Sequence, residues 1–176
     1  MSNVDDLLDN FEDEDVYYDP QMSTLVPEGS YPAKIVDLYS KRINTQRGNR
    51  ALLYKPKYRL DDAVRNYSGR DVQDAGIWRF FGTKDENGRR ITGGSNANYK
   101  RFLDKLHIPM EKIDVDDTPP RTIIKLPAIT KDMILNKSVV ISIHHEEWQG
   151  THGRNITPVA TLVRVRNGGV NGQENT

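Results

Sequence analysis

A chain of 176 residues is one domain of ordinary size with tails, and its 36% hydrophobic and 28% charged residues allow a core that leaves part of the chain outside it. The absence of cysteine excludes disulfides, thiolate zinc sites and cysteine nucleophiles. A formal net charge of zero hides a division: residues 1–20 hold eight acids and no base, whereas residues 31–101 hold 16 Lys/Arg against 7 Asp/Glu and nine of the 14 aromatics. An acidic arm on a basic, aromatic-rich body is a composition for binding polyanions. No run reaches the roughly 18 apolar residues of a membrane span. The N-terminus lacks the basic start and apolar stretch of a secretory signal, so an intracellular protein is expected.

In chain order, residues 1–29 read as an acidic flexible arm. Leu7, Leu8 and Phe11 sit at spacings of one, three and four, which suits a short amphipathic helix formed on a partner. Residues 30–166 read as the folded domain. Tyr31, Ala33 and Ile35 alternate with Pro32 and Lys34, a strand whose register blurs at Val36–Tyr39 as at a β-bulge. Lys41–Asn49 is a polar loop carrying Lys41, Arg42 and Arg47. A second strand spans Arg50–Leu60, with Leu52, Tyr54, Tyr58 and Leu60 on one face and Lys55, Lys57 and Arg59 on the other. Pro56 marks it as an edge or a bulge. Val72–Phe81 is a third strand, interrupted at Asp74-Ala75-Gly76.

Ser95 is placed to cap a helix over 96–107, with Tyr99, Phe102, Leu103 and Leu106 on its inner face. Residues 108–128, rich in proline, read as irregular, and Thr130–Asn136 as a short helical turn. Ser138–Trp148 and Ile156–Arg166 pair through a glycine-rich turn, Gln149–Asn155, carrying His152 and Arg154. Residues 167–176 read as a flexible tail. Three strands, a helix and a two-strand hairpin give a mainly β chain with the layout of a five-stranded OB-fold barrel. In that fold the ligand crosses strands 2 and 3, and the loops joining strands 1–2 and 4–5 close over it.

Short motifs carry a family resemblance over roughly residues 27–166. Pro27-Glu28-Gly29-Ser30-Tyr31-Pro32-Ala33-Lys34-Ile35 resembles the opening strand of phage single-stranded-DNA-binding proteins of OB-fold type. The Gly48-Asn49 turn, Asn98-Tyr99-Lys100-Arg101-Phe102-Leu103 with Leu106-His107-Ile108, and Leu135-Asn136-Lys137-Ser138-Val139-Val140-Ile141 are similar to later elements of that family. The resemblance implies a non-enzymatic protein that coats and protects single-stranded DNA in phage replication or recombination, in the host cytoplasm. Replicative members of the wider class usually carry their acids at the C-terminus, whereas here they stand at the N-terminus.

Single-stranded DNA requires cations along its phosphates and flat faces for its bases. Candidate residues are Lys34, Lys41, Arg42, Arg47, Arg50, Lys55, Lys57, Arg59, Arg79, Arg89, Arg90, His152 and Arg154 for phosphate, and Tyr54, Tyr58, Trp78 and Phe81 for bases. Trp78 and Phe80 share one strand face, Arg79 and Phe81 the other; the second pairing looks like a binding surface and the first like core. RNA, or an acidic protein docked on the basic face, are the alternative ligands. Leu7, Leu8 and Phe11 are the candidate contacts for a replication or recombination partner, and a homo-oligomer is left open. No cofactor is implied. His144, His145, Glu146, Glu147 and His152 lack a metal-ligand spacing, since neighbours on a strand point to opposite faces. Asp61, Asp62, Asp71 and Asp74 lie near Arg65 and Arg70 and read as internal ion pairs rather than nuclease carboxylates.

Overall fold

The computed structural model describes residues 14–18, 20, 24–44 and 50–166. Ten strands and two helices are described: β1 Gly29–Asn44, β2 Arg50–Leu60, β3 Asp71–Asp74, β4 Ile77–Phe80, β5 Thr83–Lys84, β6 Arg90–Ile91, α1 Ala97–Lys105, β7 Glu111–Val115, β8 Arg121–Lys125, α2 Lys131–Ile134, β9 Ser138–Gly150 and β10 Gly153–Val165. Five of the strands close into a barrel in the order β1-β2-β3-β10-β9 and back to β1. All neighbours are antiparallel except β3 and β10, which pair in parallel through Gln73–Val159 and Asp74–Ala160. That connectivity is OB-like, as the order of elements in the sequence implies.

Local chemistry explains the elements. Strand β1 can serve two neighbours because it shifts register between Ile35 and Asp37, the bulge expected at Val36. Its first half pairs with β9 and the rest runs along β2. Pro56 does not make β2 an edge, since β1 lies on one side and β3 and β4 on the other. Arg50 O accepts from Phe81 N–H, and Leu60 N–H donates to Arg70 O, so even-numbered residues of β2 direct their backbone groups toward β3 and β4. Pro56 is on that side, between the Tyr54–Ile77 and Lys57–Gln73 pairs. Its missing N–H therefore meets the break at Ala75-Gly76, where no ladder bond is required.

Helix α1 buries Tyr99, Phe102 and Leu103, with Leu106 just beyond, against Ile35, Tyr58, Leu60, Ile141 and Leu162. Ser95 is not its cap. The chain enters through a short 3₁₀ turn and Asn96 takes the N-cap position without capping. The buried Asn96 amide serves β4 instead: its Oδ1 accepts from Phe80 N–H at 2.8 Å and its Nδ2 donates to Phe80 O at 2.9 Å. The stretch 108–128 is not irregular, because β7 and β8 form a separate hairpin with Ile113 opposite Ile123. The packed chain also begins before the expected boundary at residue 29. Val26 is buried in the core, Arg70 donates to Thr24 O, and His145 Nε2 lies 2.8 Å from Val26 O. The arm residues Leu7, Leu8 and Phe11, the loop residue Arg47 and the tail 167–176 lie outside the described residues.

One buried polar pair crosses the barrel wall. Tyr58 O–H donates to Asp74 Oδ2 at 2.7 Å, and Gly76 N–H donates to Asp74 Oδ1 at 2.8 Å. Desolvation nevertheless holds the Asp74 carboxyl above its ordinary value, and burial with the adjacent carboxylate pushes the Tyr58 phenol well up. A raised carboxyl means that the folded state holds this proton more tightly than the unfolded chain. Its contribution is fully present below the ordinary value of 3.8 and declines as pH rises to the folded value. In Asp74→Asn that decline is expected to vanish. The stability difference between variant and parent, measured by urea denaturation across pH 3–7, should then shift in the variant's favour as pH rises, about 1.4 kcal/mol for each unit by which the carboxyl is raised.

Candidate nucleic-acid interface

Cross-strand register assigns the candidate cations to faces. Lys34 lies opposite Arg59, Lys41 opposite Leu53, and Leu53 opposite Trp78. Tyr39 lies opposite Lys55, and Asp37 opposite Lys57. Directly opposed residues project to the same side of a sheet. One outer face therefore carries Lys34, Lys41, Lys55, Lys57 and Arg59 with Tyr39, Trp78 and Phe80. This is the surface of strands 2 and 3 on which an OB-like barrel presents ligands.

Charge on this face is only partly neutralised. Arg59 is held bidentately by Asp71, at 2.8 and 3.2 Å. Asp37 pairs with Lys131 at 3.0 Å, and that hydrogen bond, with the Leu38 N–H, holds its carboxyl below the ordinary range. Lys34, Lys41, Lys55 and Lys57 make no ion pair among the described residues. Lys55 and Lys57 are half-buried, as long cationic side chains are when their stems lie on apolar surface. Alternate residues on a strand stand roughly 6.5–7 Å apart, near the phosphate repeat of an extended nucleic-acid strand.

The aromatic residues sort differently from the sequence expectation. Tyr54 and Tyr58 are buried, at 3% and 0% exposure, and Tyr54 stacks on Tyr99. Neither can meet a base, because β2 turns these rings into the barrel with Leu60. Trp78, a candidate for bases on a face that looked like core, forms a parallel stack with Phe80 on the outer face, with ring centroids 6.2 Å apart and Trp78 37% exposed. Arg79 and Phe81 point the other way. The Arg79 guanidinium lies over the Phe81 and Tyr99 rings and donates to Leu126 O. The reversal arises because the break at Ala75-Gly76 resets which β4 residues face the core.

A second basic surface lies behind β4. A groove of about 780 Å³ is lined by Arg79, Phe81, Arg89, Arg90, Lys100 and Lys125, between β6, the start of α1 and the β7–β8 hairpin. Beside it, Arg42, Arg50, Phe81 and Arg90 line a smaller hollow of about 240 Å³. Gly82, with φ +66°, allows the chain to turn here; a Cβ would stand 2.5 Å from Ile91 O.

His152 and Arg154 are exposed at the tip of the long β9–β10 ribbon. The parallel Gln73–Val159 register places that tip beyond the start of β3, at the Leu60 end of β2. Lys41, Arg42 and Arg50 mark the opposite end of β2. The two hairpins therefore flank the β2–β3 surface from opposite ends. Trp148, 55% exposed on the ribbon, and Tyr39, 49% exposed on β1, are surface aromatics absent from the sequence-based set. A period-two count carried through the Val36 bulge would have found Tyr39.

The acids near Arg65 and Arg70 are accounted for by other groups: Asp61 pairs with Arg166, Asp62 accepts from Ser68, Asp71 holds Arg59, and Asp74 accepts from Tyr58. His144 lies 3.4 Å from Glu146, and among the described residues no group of three or more His, Asp or Glu is placed to hold a metal ion. No helix among them is long and apolar enough to cross a membrane.

Neither a protein-family model, nor a curated protein, nor a solved structure matches this chain. Its likeness to an OB barrel rests on strand order and register.

Proposed function

We propose that the protein binds single-stranded DNA through the outer face of β1, β2 and β4, with little sequence preference, and coats the strand in phage DNA replication or recombination. The carrying observation is the juxtaposition on one sheet face of Lys34, Lys41, Lys55 and Lys57, which form no ion pair among the described residues, with the Trp78–Phe80 stack. Cations at strand spacing meet phosphates, and a flat aromatic pair meets bases regardless of their identity. This mode of binding needs neither a cofactor nor a catalytic group. The phage setting and the choice of DNA rest on the sequence resemblance.

Titration of the protein with oligo-dT tests the reading through tryptophan fluorescence. In a Trp148→Phe background the remaining indole is Trp78, and saturable quenching is expected as bases stack on it. Trp78→Ala should lower affinity by roughly 1–3 kcal/mol, the usual value of one stacked base. Absence of quenching and of any affinity at low salt would refute the assignment, and tighter binding of a matched RNA would reassign the ligand.

A further inference from the structure

The outer face leaves the groove behind β4 without a role. It gathers Arg79, Arg89, Arg90, Lys100 and Lys125, and among the described residues no acid lines it. Their charges are positioned but mostly not cancelled. Arg79 and Arg90 donate to the neutral carbonyls of Leu126 and Gly82. Arg89 and Lys125 are exposed and make no ion pair among the described residues, and Lys100 alone pairs, with Asp104. Between these cations Phe81 and Ile113 give the groove apolar surface. Repelling cations held around an apolar trough are destabilising in isolation and fit a ligand with several negative charges and flat apolar faces.

Strand β4 is the last strand of its sheet and the shared wall of both surfaces. Trp78 and Phe80 stand on its outer side, Arg79 and Phe81 on its inner side. We propose that this groove is a second subsite for the same nucleic-acid strand: a segment that has crossed the Trp78–Phe80 face passes the β4 edge and lays its phosphates against Arg89, Arg90 and Lys125. The inference rests on the outer-face reading and lengthens the site it defines. A short oligomer fills the outer face alone, and a longer one engages both.

The test compares Arg89→Ala/Lys125→Ala with Lys55→Ala/Lys57→Ala, each titrated with dT oligomers of about 5 and about 16 nucleotides, the span of known site sizes for one such barrel. All four side chains lack ion-pair partners among the described residues, and Arg89 and Lys125 are exposed, so the groove variant should melt with the parent, while the half-buried stems of Lys55 and Lys57 lower the outer-face variant only modestly. The groove variant should leave the short oligomer unaffected and weaken the long one about 20-fold at 0.1 M salt, with the salt slope shallower by about 1.4, two phosphate contacts' worth. The outer-face variant should weaken both lengths. Equal affinity of the groove variant and the parent for the long oligomer would overturn the second subsite while leaving the outer-face reading intact. Equal weakening of both lengths would overturn it too, because the groove would then be part of the first site. If the parent binds neither oligomer, both readings fall.

Discussion

Replacing Lys41, Lys55 and Lys57 together with alanine is expected to lower affinity for single-stranded DNA about a hundredfold at 0.1 M salt. Each phosphate neutralised on a single strand contributes a slope of about −0.7 to the log–log salt dependence, so one contact is worth about fivefold between 1 M and 0.1 M salt. Three contacts multiply to about two orders of magnitude, and the slope should become shallower by about 2. The three lysines share one face by register and make no ion pair among the described residues, so their loss removes charge without leaving a buried partner stranded. Arg59 is the internal contrast. Asp71 already holds it bidentately, so Arg59→Ala should change the salt slope less than any of the lysines. Fluorescence titrations between 0.05 and 0.5 M salt measure both. A slope unchanged in the triple variant would show that the outer face does not meet phosphates.

Tyr99→Ala should destabilise the domain by about 3–5 kcal/mol, the usual loss for an aromatic side chain removed from a packed core. Tyr99 is fully buried on α1 and stacks on Tyr54 at 5.8 Å. Its hydroxyl donates to Pro127 O and accepts from Ile129 N–H, tying the connector after β8 to the helix. Burial pushes its phenol up, and a proton held that firmly keeps the hydroxyl a donor through the physiological range. The same connector presents Leu126 O to Arg79, so the contact extends to the groove. Tyr99→Phe isolates the hydroxyl and should cost about 1–3 kcal/mol, because the buried Ile129 N–H and the half-buried Pro127 carbonyl lose their partner. Urea denaturation of the two variants separates packing from hydrogen bonding. A Phe variant as unstable as the Ala variant would mean that the hydroxyl dominates over the ring.

The fold was legible wherever one physical signal determined it. The alternation of β2 assigned its two faces, the blurred register after Ile35 marked the bulge, and the spacing Tyr99, Phe102, Leu103, Leu106 marked the inner side of α1. Legibility failed where position depends on partners distant in sequence. Asn96 rather than Ser95 opens the helix because an amide side chain can hold both backbone groups of Phe80, and nothing local announces that. The β7–β8 hairpin hides behind Pro119 and Pro120, which mark its turn rather than a structureless run. At the site, periodicity separated Trp78 from Arg79, but which of the two faces the core follows from the packing of Arg79 onto Tyr99. Tyr54 and Tyr58 share the apolar face of β2 with Leu52 and Leu60, a placement that suggested core for at least one of them, and both are core.

The Asn96 contact with β4 also bears on how copies of this molecule coexist. A sheet that ends in an open strand offers its unpaired amides as a template for a neighbour's strand, a route to aggregation that natural β-proteins block in various ways. Strand β4 is four residues long, and its outward N–H and C=O at Phe80 are both occupied by one side-chain amide. A molecule crowded against others along a polymer would bring such edges together at high local concentration. With Asn96 in place, the Phe80 position of this short edge is closed to a neighbour's strand.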